Sequence, residues 1–209
     1  SRIGKSIRHS LNIINNTLND GIYIGTGSTG TVISKNDVGV SNKSGIVVLD
    51  SKKCQVISNK VSDCRLDGIY LKNIGDTDIK SNNVTTVKRY GVQVISSQLK
   101  SLYGNTITGN GNCGLRIIQS GISGSQQNRL RNNGSSYAVY SRNSTGSVLV
   151  RLPASARITR NTARITGTAA GGRRLTVYVV TKSGNKRIGQ GNVTSRGRYS
   201  VSIPKQKKG

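Results

Sequence analysis

Short runs in which apolar residues flank a variable middle residue recur along the first part of the chain at an almost constant spacing. The copies are Gly21-Ile-Tyr-Ile, Gly45-Ile-Val-Val, Gly68-Ile-Tyr-Leu, Gly91-Val-Gln-Val, Gly114-Leu-Arg-Ile and Tyr137-Ala-Val-Tyr. The steps between them are 24, 23, 23, 23 and 23 residues. Alternation with a period of two predicts short strands whose middle residue points outward, while the residues on either side of it point inward.

Further columns follow the same period. Asparagines stand nine residues before the copies, at Asn12, Asn36, Asn59, Asn82, Asn105 and Asn128. Apolar residues stand seven residues before the copies, at Ile14, Val38, Val61, Val84, Ile107 and Leu130. Others stand twelve residues before the middle copies, at Ile33, Val56, Ile79 and Leu102. Each repeat therefore predicts three short strands that form one coil of a triangular tube, with coils stacked in parallel about 4.8 Å apart.

The recurring asparagine predicts a structural ladder. Identical side chains of stacked coils lie above one another, so each amide can bond its own turn and the amide of the next coil. The glycine that opens most copies suits either a turn with positive φ or close packing between coils. Leucine-rich repeats and left-handed hexapeptide helices fit less well, because the chain lacks a Leu-rich helical consensus and a shorter period.

In this repeat the chain resembles the right-handed parallel β-helix superfamily, in the Asn- and Gly-rich form common in secreted bacterial proteins. The resemblance implies an all-β fold with about six coils over residues 1–152. That superfamily includes pectate-lyase-like enzymes, epimerases, phage tailspikes and adhesins. The resemblance therefore indicates the fold and leaves the function open.

The end of the chain has a different pattern. After a predicted linker, Arg151-Leu-Pro-Ala-Ser, four alternating segments with Gly-rich turns predict strands that begin at Ala163, Leu175, Arg187 and Arg198. The segments Thr166–Ala169, Val177–Val179, Ile188-Gly189 and Gly197–Pro204 are similar to bacterial Ig-like modules of Gram-positive surface proteins. This resemblance implies an Ig-like β-sandwich over residues 153–209 that lacks the later strands of the family and acts as a spacer.

Charge is the strongest signal in the composition. The chain has 32 Lys and Arg against 7 Asp and no Glu, a formal net charge of +25. The last acid is Asp78, and 22 basic residues follow it. Such a field attracts polyanions and weakens with salt, so acidic polysaccharide, host glycan, anionic cell-wall polymer and nucleic acid are all candidate partners.

Location is indicated by the apolar runs, the start of the chain and the cysteines. No apolar run approaches the roughly 18 residues of a membrane span, so we expect no membrane insertion. The chain begins without Met in mid-pattern, and we expect a piece of a longer secreted precursor. Cys54, Cys64 and Cys113 are too few for a disulfide framework and are expected to be small, partly buried apolar residues.

The carboxylates give little support for a catalytic or metal centre. They gather at Asp50, Asp63, Asp67, Asp76 and Asp78. We interpret Asp63 with Asp67, and Asp76 with Asp78, as turn residues, because aspartate caps turns well. Calcium needs six to eight convergent oxygens, and glycoside hydrolysis needs two acids at a set separation.

Other motifs are equally weak. His9 is the only histidine and is interpreted as a surface residue. Two Gly-x-Gly-x-x-Gly matches, which start at Gly25 and Gly109, stand among predicted strands rather than before a helix, so they are interpreted as turns. We therefore assign no cofactor, no metal and no catalytic residue.

The outward column carries the candidate binding chemistry. Its members are Tyr23, Val47, Tyr70, Gln93, Arg116 and Val139, with Lys72 and Ser141 two positions later on the same face. We predict a binding site formed by Tyr70, Lys72, Tyr90, Gln93 and Arg116, because rings stack on sugars while Lys and Arg bind carboxylates or sulfates. A polar sheet face with tyrosine present for strand propensity is the alternative.

These patterns are compatible with three functions. The sequence favours the first, which is not enzymatic. It is an extracellular, cell-surface adhesin that recognises anionic polysaccharide through the β-helix. The second is a fragment of a polysaccharide lyase or epimerase, with Lys72 or Arg116 as base and Asp50 or Asp67 on Ca²⁺. The third is a structural stalk held on its own anionic wall by charge. Tyrosine beside basic residues also predicts salt-sensitive, non-specific binding of nucleic acid.

Overall fold

The computed structural model describes residues 8–134, 139–146, 164–168, 174–181, 184–192, 194 and 198–202. The chain divides into two compact units, Ser1–Arg151 and Leu152–Gly209. All the described regular elements are strands. In the first unit they form three parallel sheets, which confirms the predicted β-solenoid.

The three sheets take one strand each from every coil. The first sheet contains β1 (Arg8–Ser10), β4 (Val32–Ser34), β7 (Gln55–Ile57), β10 (Gly75–Lys80), β13 (Gln98–Tyr103), β16 (Gly121–Gln126) and β19 (Thr145–Gly146). The second sheet contains β2 (Ile13–Ile14), β5 (Asp37–Val38), β8 (Lys60–Ser62), β11 (Asn83–Thr85), β14 (Thr106–Thr108) and β17 (Arg129–Arg131). The third sheet contains β3 (Ile22–Ile24), β6 (Ile46–Leu49), β9 (Ile69–Lys72), β12 (Val92–Ile95), β15 (Leu115–Ile118) and β18 (Val139–Arg142).

The core is a stack of equivalent aliphatic side chains inside the tube. Val61, Val84 and Ile107 pair in register on the second sheet and are fully buried. Val56 and Ile79 pair in the same way on the first sheet. Because each coil adds the same residues at the same places, one period-two pattern per strand is enough to build a continuous core.

Close packing between coils explains the glycine column. A Cβ on Gly68 would collide with Val84 Cγ1 and lie 2.6 Å from the carbonyl oxygen of Gly91. A positive φ is found at other glycines, such as Gly104 and Gly109, and not at Gly68. Of the two explanations open in the sequence, coil packing is the one that the structure supports.

The asparagine column forms a continuous amide ladder. Nδ2 of Asn59 donates to Oδ1 of Asn82 at 3.0 Å, and Nδ2 of Asn82 donates to Oδ1 of Asn105 at 3.0 Å. Asn82 Nδ2 also donates to a strand carbonyl, Val56 O at 2.8 Å, and Asn59, Asn105 and Asn128 make the equivalent bond. Asn36, Asn59, Asn82, Asn105 and Asn128 are all buried. The ladder therefore satisfies polar groups where the chain turns from the first to the second sheet.

The last coil departs from the expected period. The register pairs Arg116 with Tyr140 and Ile118 with Arg142, a step of 24 residues. Asn110 still bonds Asn133 across 23 residues, so the step has lengthened by the last described strand of the third sheet. The assignment of Val139 to the outward face was therefore wrong, because the one-residue shift in register places it beside Leu115 and against the core. Ser141 pairs in register with Ile117.

One pair of aspartates also lies elsewhere than expected. Asp76 and Asp78 belong to strand β10 and not to a turn. Asp76 has a φ of 50° at an irregularity in the pairing with β13, which is the geometry of a bulge. Asp63 and Asp67 do lie in the corner between β8 and β9, as expected.

The second unit contains four described strands in two antiparallel pairs. Strand β20 (Arg164–Thr168) pairs with β23 (Arg198–Ser202), and β21 (Arg174–Thr181) pairs with β22 (Gly184–Asn192). These are the four strands that the alternating pattern predicts. Their assembly into an Ig-like sandwich stays a prediction, and the predicted linker lies outside the described residues.

Candidate functional site

The outward face of the third sheet brings most of the predicted binding residues together. Pairing in register places Tyr70 beside Gln93, and Gln93 beside Arg116, on strands about 4.8 Å apart. Gln93 points outward and yet is only 3% exposed. Its neighbours cover it, so this part of the face is packed rather than a loose polar surface.

Gln93 connects a carboxylate to a guanidinium. With its amide oriented to suit both neighbours, its nitrogen donates to Asp67 Oδ2 at 3.1 Å and its oxygen accepts from Arg116 Nη1 at 2.8 Å. This orientation is assigned from the hydrogen-bond network, since each end of the amide then faces a complementary partner. The buried amide therefore fixes Arg116 relative to Asp67.

Asp67 is the buried centre of this arrangement. It is 4% exposed, and its Oδ1 accepts from the backbone N–H of Tyr90 at 3.2 Å and lies 3.6 Å from Arg89 Nε. Burial raises the pKa of the Asp67 carboxyl, although Arg89, the Tyr90 N–H and Arg116 act in the opposite direction. Its surroundings are hydrogen-bond donors, which suit a carboxylate that orients other side chains.

Tyr90 lies between two cations. The guanidinium carbon of Arg116 is 5.1 Å from the ring centroid of Tyr90, and that of Arg89 is 5.4 Å away. Both distances are within cation–π range. The ring therefore holds two arginines in place rather than offering an open platform to a sugar.

Tyr70 and Lys72 lie on the same face along strand β9. Tyr70 is half-buried beside Gln93, and burial, followed by the charge of Asp67, raises the pKa of its phenol. Lys72 is exposed two residues further along the strand. Within the part of the chain that the structure describes, the Lys72 ammonium makes no hydrogen bond or ion pair with the group around Asp67.

We define the Asp67 cluster as Asp67, Tyr70, Arg89, Tyr90, Gln93 and Arg116. Four of the five predicted binding residues lie in it, and Lys72 lies at its margin. The sequence-based site lacked Arg89 and used Asp67 only as a calcium ligand of the enzymatic alternative. Arg89 directly precedes Tyr90 in the same corner, so adjacency to a predicted residue was the signal that could have found it.

Exposed basic residues continue along the corner that leads into the third sheet. Arg65 and Lys88 occupy equivalent places in successive coils, since their backbone N–H groups bond Ser41 O and Cys64 O in the same way. Both are exposed, as is Arg89 next to Lys88. The Asp67 cluster therefore lies beside a row of cations.

The two aspartates that the enzymatic interpretation assigned to Ca²⁺ lie apart. Asp50 and Asp67 stand at opposite ends of the third-sheet strands, and Asp50 accepts from Asn73 Nδ2 at 2.9 Å. Among the described residues, no group of three or more His, Cys, Asp or Glu side chains is placed to hold a metal ion. In the same residues, no helix is long and apolar enough to cross a membrane.

The cysteines lie in the core as free, buried thiols. Burial raises the pKa of Cys64 and that of Cys113 each to about 11. At neutral pH these thiols are therefore protonated and unreactive. This is the apolar role that the sequence indicates.

Comparison with known proteins agrees with the fold. The family model of the right-handed beta helix region matches residues 5–152. The chain belongs to the right-handed β-helix family. No curated protein matches the chain.

Three solved structures share the β-helix fold. The enzymatically active domain of tailspike protein 2 from bacteriophage CBA120 has a TM-score of 0.59 at 17% identity, covering 69% of this chain and 24% of its own. The periplasmic alginate epimerase AlgG has a TM-score of 0.58 at 17% identity, covering 70% and 44%. The A-module of the Azotobacter vinelandii mannuronan C-5 epimerase AlgE6 has a TM-score of 0.55 at 14% identity, covering 70% and 52%. This β-helix thus spans between about a quarter and about half of each of these proteins.

Proposed function

We propose that this chain is an extracellular binding module that holds an acidic polysaccharide along the outward face of the third sheet. The link from Asp67 through Gln93 to Arg116 carries the proposal. It presents a guanidinium in a fixed orientation, with Arg89 held on the same tyrosine ring. Planar guanidinium groups pair with carboxylates in bidentate geometry, so a uronate or similar acidic sugar fits this pair.

Two tyrosines other than Tyr90 are available to pack against a sugar. Tyr70 is adjacent to Gln93 in register and only half-buried. Tyr23, two strands away in the same outward column, is 59% exposed. We propose that these two rings pack against sugar faces while Arg89 and Arg116 bind the acidic groups.

Net charge supports the same class of ligand. A chain with a formal charge of +25 raises the local concentration of polyanions around it. The row formed by Arg65, Lys88 and Arg89 would direct such a polymer along the corner toward the Asp67 cluster. An acidic polysaccharide is preferred to nucleic acid because the cluster offers fixed single guanidinium groups rather than a succession of stacking platforms.

The similar folds point to the same setting. They belong to a phage tailspike protein, a periplasmic alginate epimerase and a mannuronan epimerase. We infer from them a polysaccharide partner and a location outside the cytoplasm. A surface adhesin, in which the second unit acts as an Ig-like spacer, is the specific form that we propose.

The test is equilibrium binding of the full chain to polyuronates, sulfated glycans and neutral polysaccharides at rising salt. We expect saturable binding of at least one acidic polysaccharide at physiological ionic strength. Arg116→Ala is expected to weaken that binding by about tenfold or more, which corresponds to about 1.4 kcal/mol. Arg129→Ala is the matched control, because it removes the same charge from an exposed position of the second sheet.

Each outcome has a defined meaning. If Arg129→Ala and Arg116→Ala weaken binding equally, the charge acts only as a field and the cluster is not the site. If all polyanions bind alike and dissociate together as salt rises, the chain is better described as a stalk held on an anionic wall.

A lyase or epimerase that acts on an acidic polysaccharide is a second candidate function. The observation that favours it is a phenol placed to donate a proton beside a guanidinium. Tyr70 is half-buried on the face that holds Arg116, and burial raises the pKa of its phenol, so the group carries its proton at neutral pH. Incubation with polyuronate tests it: an unsaturated product that absorbs in the ultraviolet, or solvent hydrogen incorporated into the sugar, would establish catalysis.

A further inference from the structure

A concave surface lies at the end of the third-sheet strands opposite to the Asp67 cluster. It is a groove of about 560 Å³ at the corner where the chain turns from the third sheet into the first. We call it the corner groove. Its size is within the range of pockets that bind small ligands.

The concave shape has a clear cause in the sequence. Gly75 leaves open space on the first sheet, since a Cβ there would meet only Lys52 Cγ at 3.6 Å, whereas the side chain of Gln98 covers Gly121 and forms part of the lining. Beside them, each coil has a residue with a φ near 50° that directs an exposed side chain outward. These residues are Asn73, Ser96, Gln119 and Asn143.

The buried polar groups on the floor of the groove already have hydrogen-bond partners within the protein. Ser97 Oγ donates to Ile95 O at 2.6 Å and accepts from the N–H of Ile74 at 3.1 Å. Ser120 repeats both contacts one coil later, with Ile118 O and the N–H of Ser97. Buried serines thus form a hydroxyl ladder that stabilises the corner and leaves recognition to the rim.

The rim carries polar groups that are open to a ligand. Among the described residues, the side chains of Ser96, Gln119 and Asn143 make no hydrogen bond to the protein. Lys52 stands at one end, and none of the described lining residues carries a carboxylate. Carboxamides and hydroxyls both donate and accept, which is the pattern that sugar hydroxyls require, and their recognition does not depend on ligand charge.

We propose that the corner groove binds an uncharged, hydroxyl-rich oligosaccharide, as a site separate from the Asp67 cluster. A chain of sugars lying across the coils would meet a new amide or hydroxyl about every 4.8 Å, at the spacing of the stacked strands. The two sites lie at opposite ends of the same strands and differ in chemistry, so each can be occupied without the other.

High salt distinguishes binding at the corner groove from charge-driven binding at the Asp67 cluster. Neutral trisaccharides of glucose, mannose, galactose and N-acetylglucosamine are added to the full chain at about 1 M salt, where the Debye length is about 3 Å. Binding is followed by NMR at the backbone amides of Gly75 and Gly121 and the side-chain amides of Gln119 and Asn143. We expect at least one trisaccharide to shift these signals saturably.

Variants that keep the backbone conformation test the assignment. Gln119→Gly with Asn143→Gly removes both amides, and glycine adopts a φ near 50° without strain. We expect a loss of affinity of about tenfold or more. Asn132→Gly, an exposed residue with a φ of 50° at a different corner, is the matched control and should leave binding unchanged.

A filled groove gives an independent result. A Cβ on Gly75 would meet only Lys52 Cγ at 3.6 Å, so Gly75→Leu should fold and block the groove. Gly124→Leu, on strand β16 of the same sheet and outside the groove lining, is its control. Unchanged binding in Gly75→Leu, or shifts confined to Tyr70, Tyr90 and Arg116, would overturn the corner groove and leave the proposed acidic-polysaccharide site intact.

Discussion

At the scale of single residues, Asp67 organises the candidate site without being exposed to a ligand. It is buried, receives hydrogen bonds from Tyr90 and Gln93, and holds Arg116 through the Gln93 amide. The ionised form of a carboxyl in this position is unfavourable, because the loss of hydration on burial outweighs the attraction of the nearby cations. We infer from this unfavourable free energy that Asp67 serves to orient the arginines.

The raised pKa of Asp67 predicts a dependence of stability on pH. The folded protein holds this proton more tightly than the unfolded chain, whose carboxyl has the ordinary value of 3.8. The stability contributed by Asp67 is therefore present below pH 3.8 and falls as pH rises through the raised folded value. Asp67→Asn removes this titration, so relative to the unaltered protein the variant should gain stability between acidic and neutral pH.

Chemical denaturation at several pH values measures this difference. Asp20→Asn is the control, because Asp20 occupies the equivalent corner position of an earlier coil and lies outside the cluster. A stability difference for Asp67→Asn that is constant with pH, or that falls from acidic to neutral pH, would refute the role of burial.

At the scale of elements, the amide ladder is the main polar device that aligns the coils. Asn82 illustrates its density: it accepts from the backbone N–H and from Nδ2 of Asn59, and it donates to Val56 O and Asn105. All these groups are buried between strands. Removing the amide therefore leaves several partners without a hydrogen bond at once.

Asn82→Ala is expected to cost about 3 kcal/mol or more, since each buried group left unsatisfied costs about 1–3 kcal/mol. Asn83→Ala is the matched control. Asn83 follows directly in the sequence but is exposed, so its substitution should change the free energy of unfolding by less than about 0.5 kcal/mol. Denaturant titration of both variants measures the difference, and equal midpoints would show that the ladder does not stabilise the stack.

At the scale of the whole molecule, charge acts without a defined geometry. The 32 basic residues are spread over both units, whereas the 7 acids end at Asp78. A field of this kind binds any polyanion, including nucleic acid, by releasing counterions.

This predicts binding of double-stranded DNA without sequence preference, with an affinity that falls linearly on logarithmic axes as salt increases. Fluorescence anisotropy with two unrelated duplexes, over a salt titration, measures it. DNA binding that survives about 1 M salt, or that distinguishes the two duplexes, would show a dedicated nucleic-acid site and contradict the proposed function.

Much of the fold could be predicted because a solenoid repeats one local rule. The columns of Val61, Val84 and Ile107 carry the period and the inward direction, and the asparagine column marks one corner of every coil. The prediction for the sixth coil was wrong because the 23-residue spacing was extended to that coil by counting alone. The Tyr137 segment lacks the opening glycine, so nothing in its residues showed that Tyr140, rather than Val139, aligns with Arg116.

The sequence by itself determined the coils, the core columns, the amide ladder and the outward face that carries Tyr70, Gln93 and Arg116, since each depends on a period along the chain. Only the tertiary structure decided which of these side chains meet. Asp67 reaches Gln93 and Arg116 because stacking places residues of three successive coils within one hydrogen-bonded group, at distances set by strand pairing. The corner groove likewise exists only in three dimensions, because it forms where Gly75 and the rim residues of successive coils come together, and no period in the residues records the space between them.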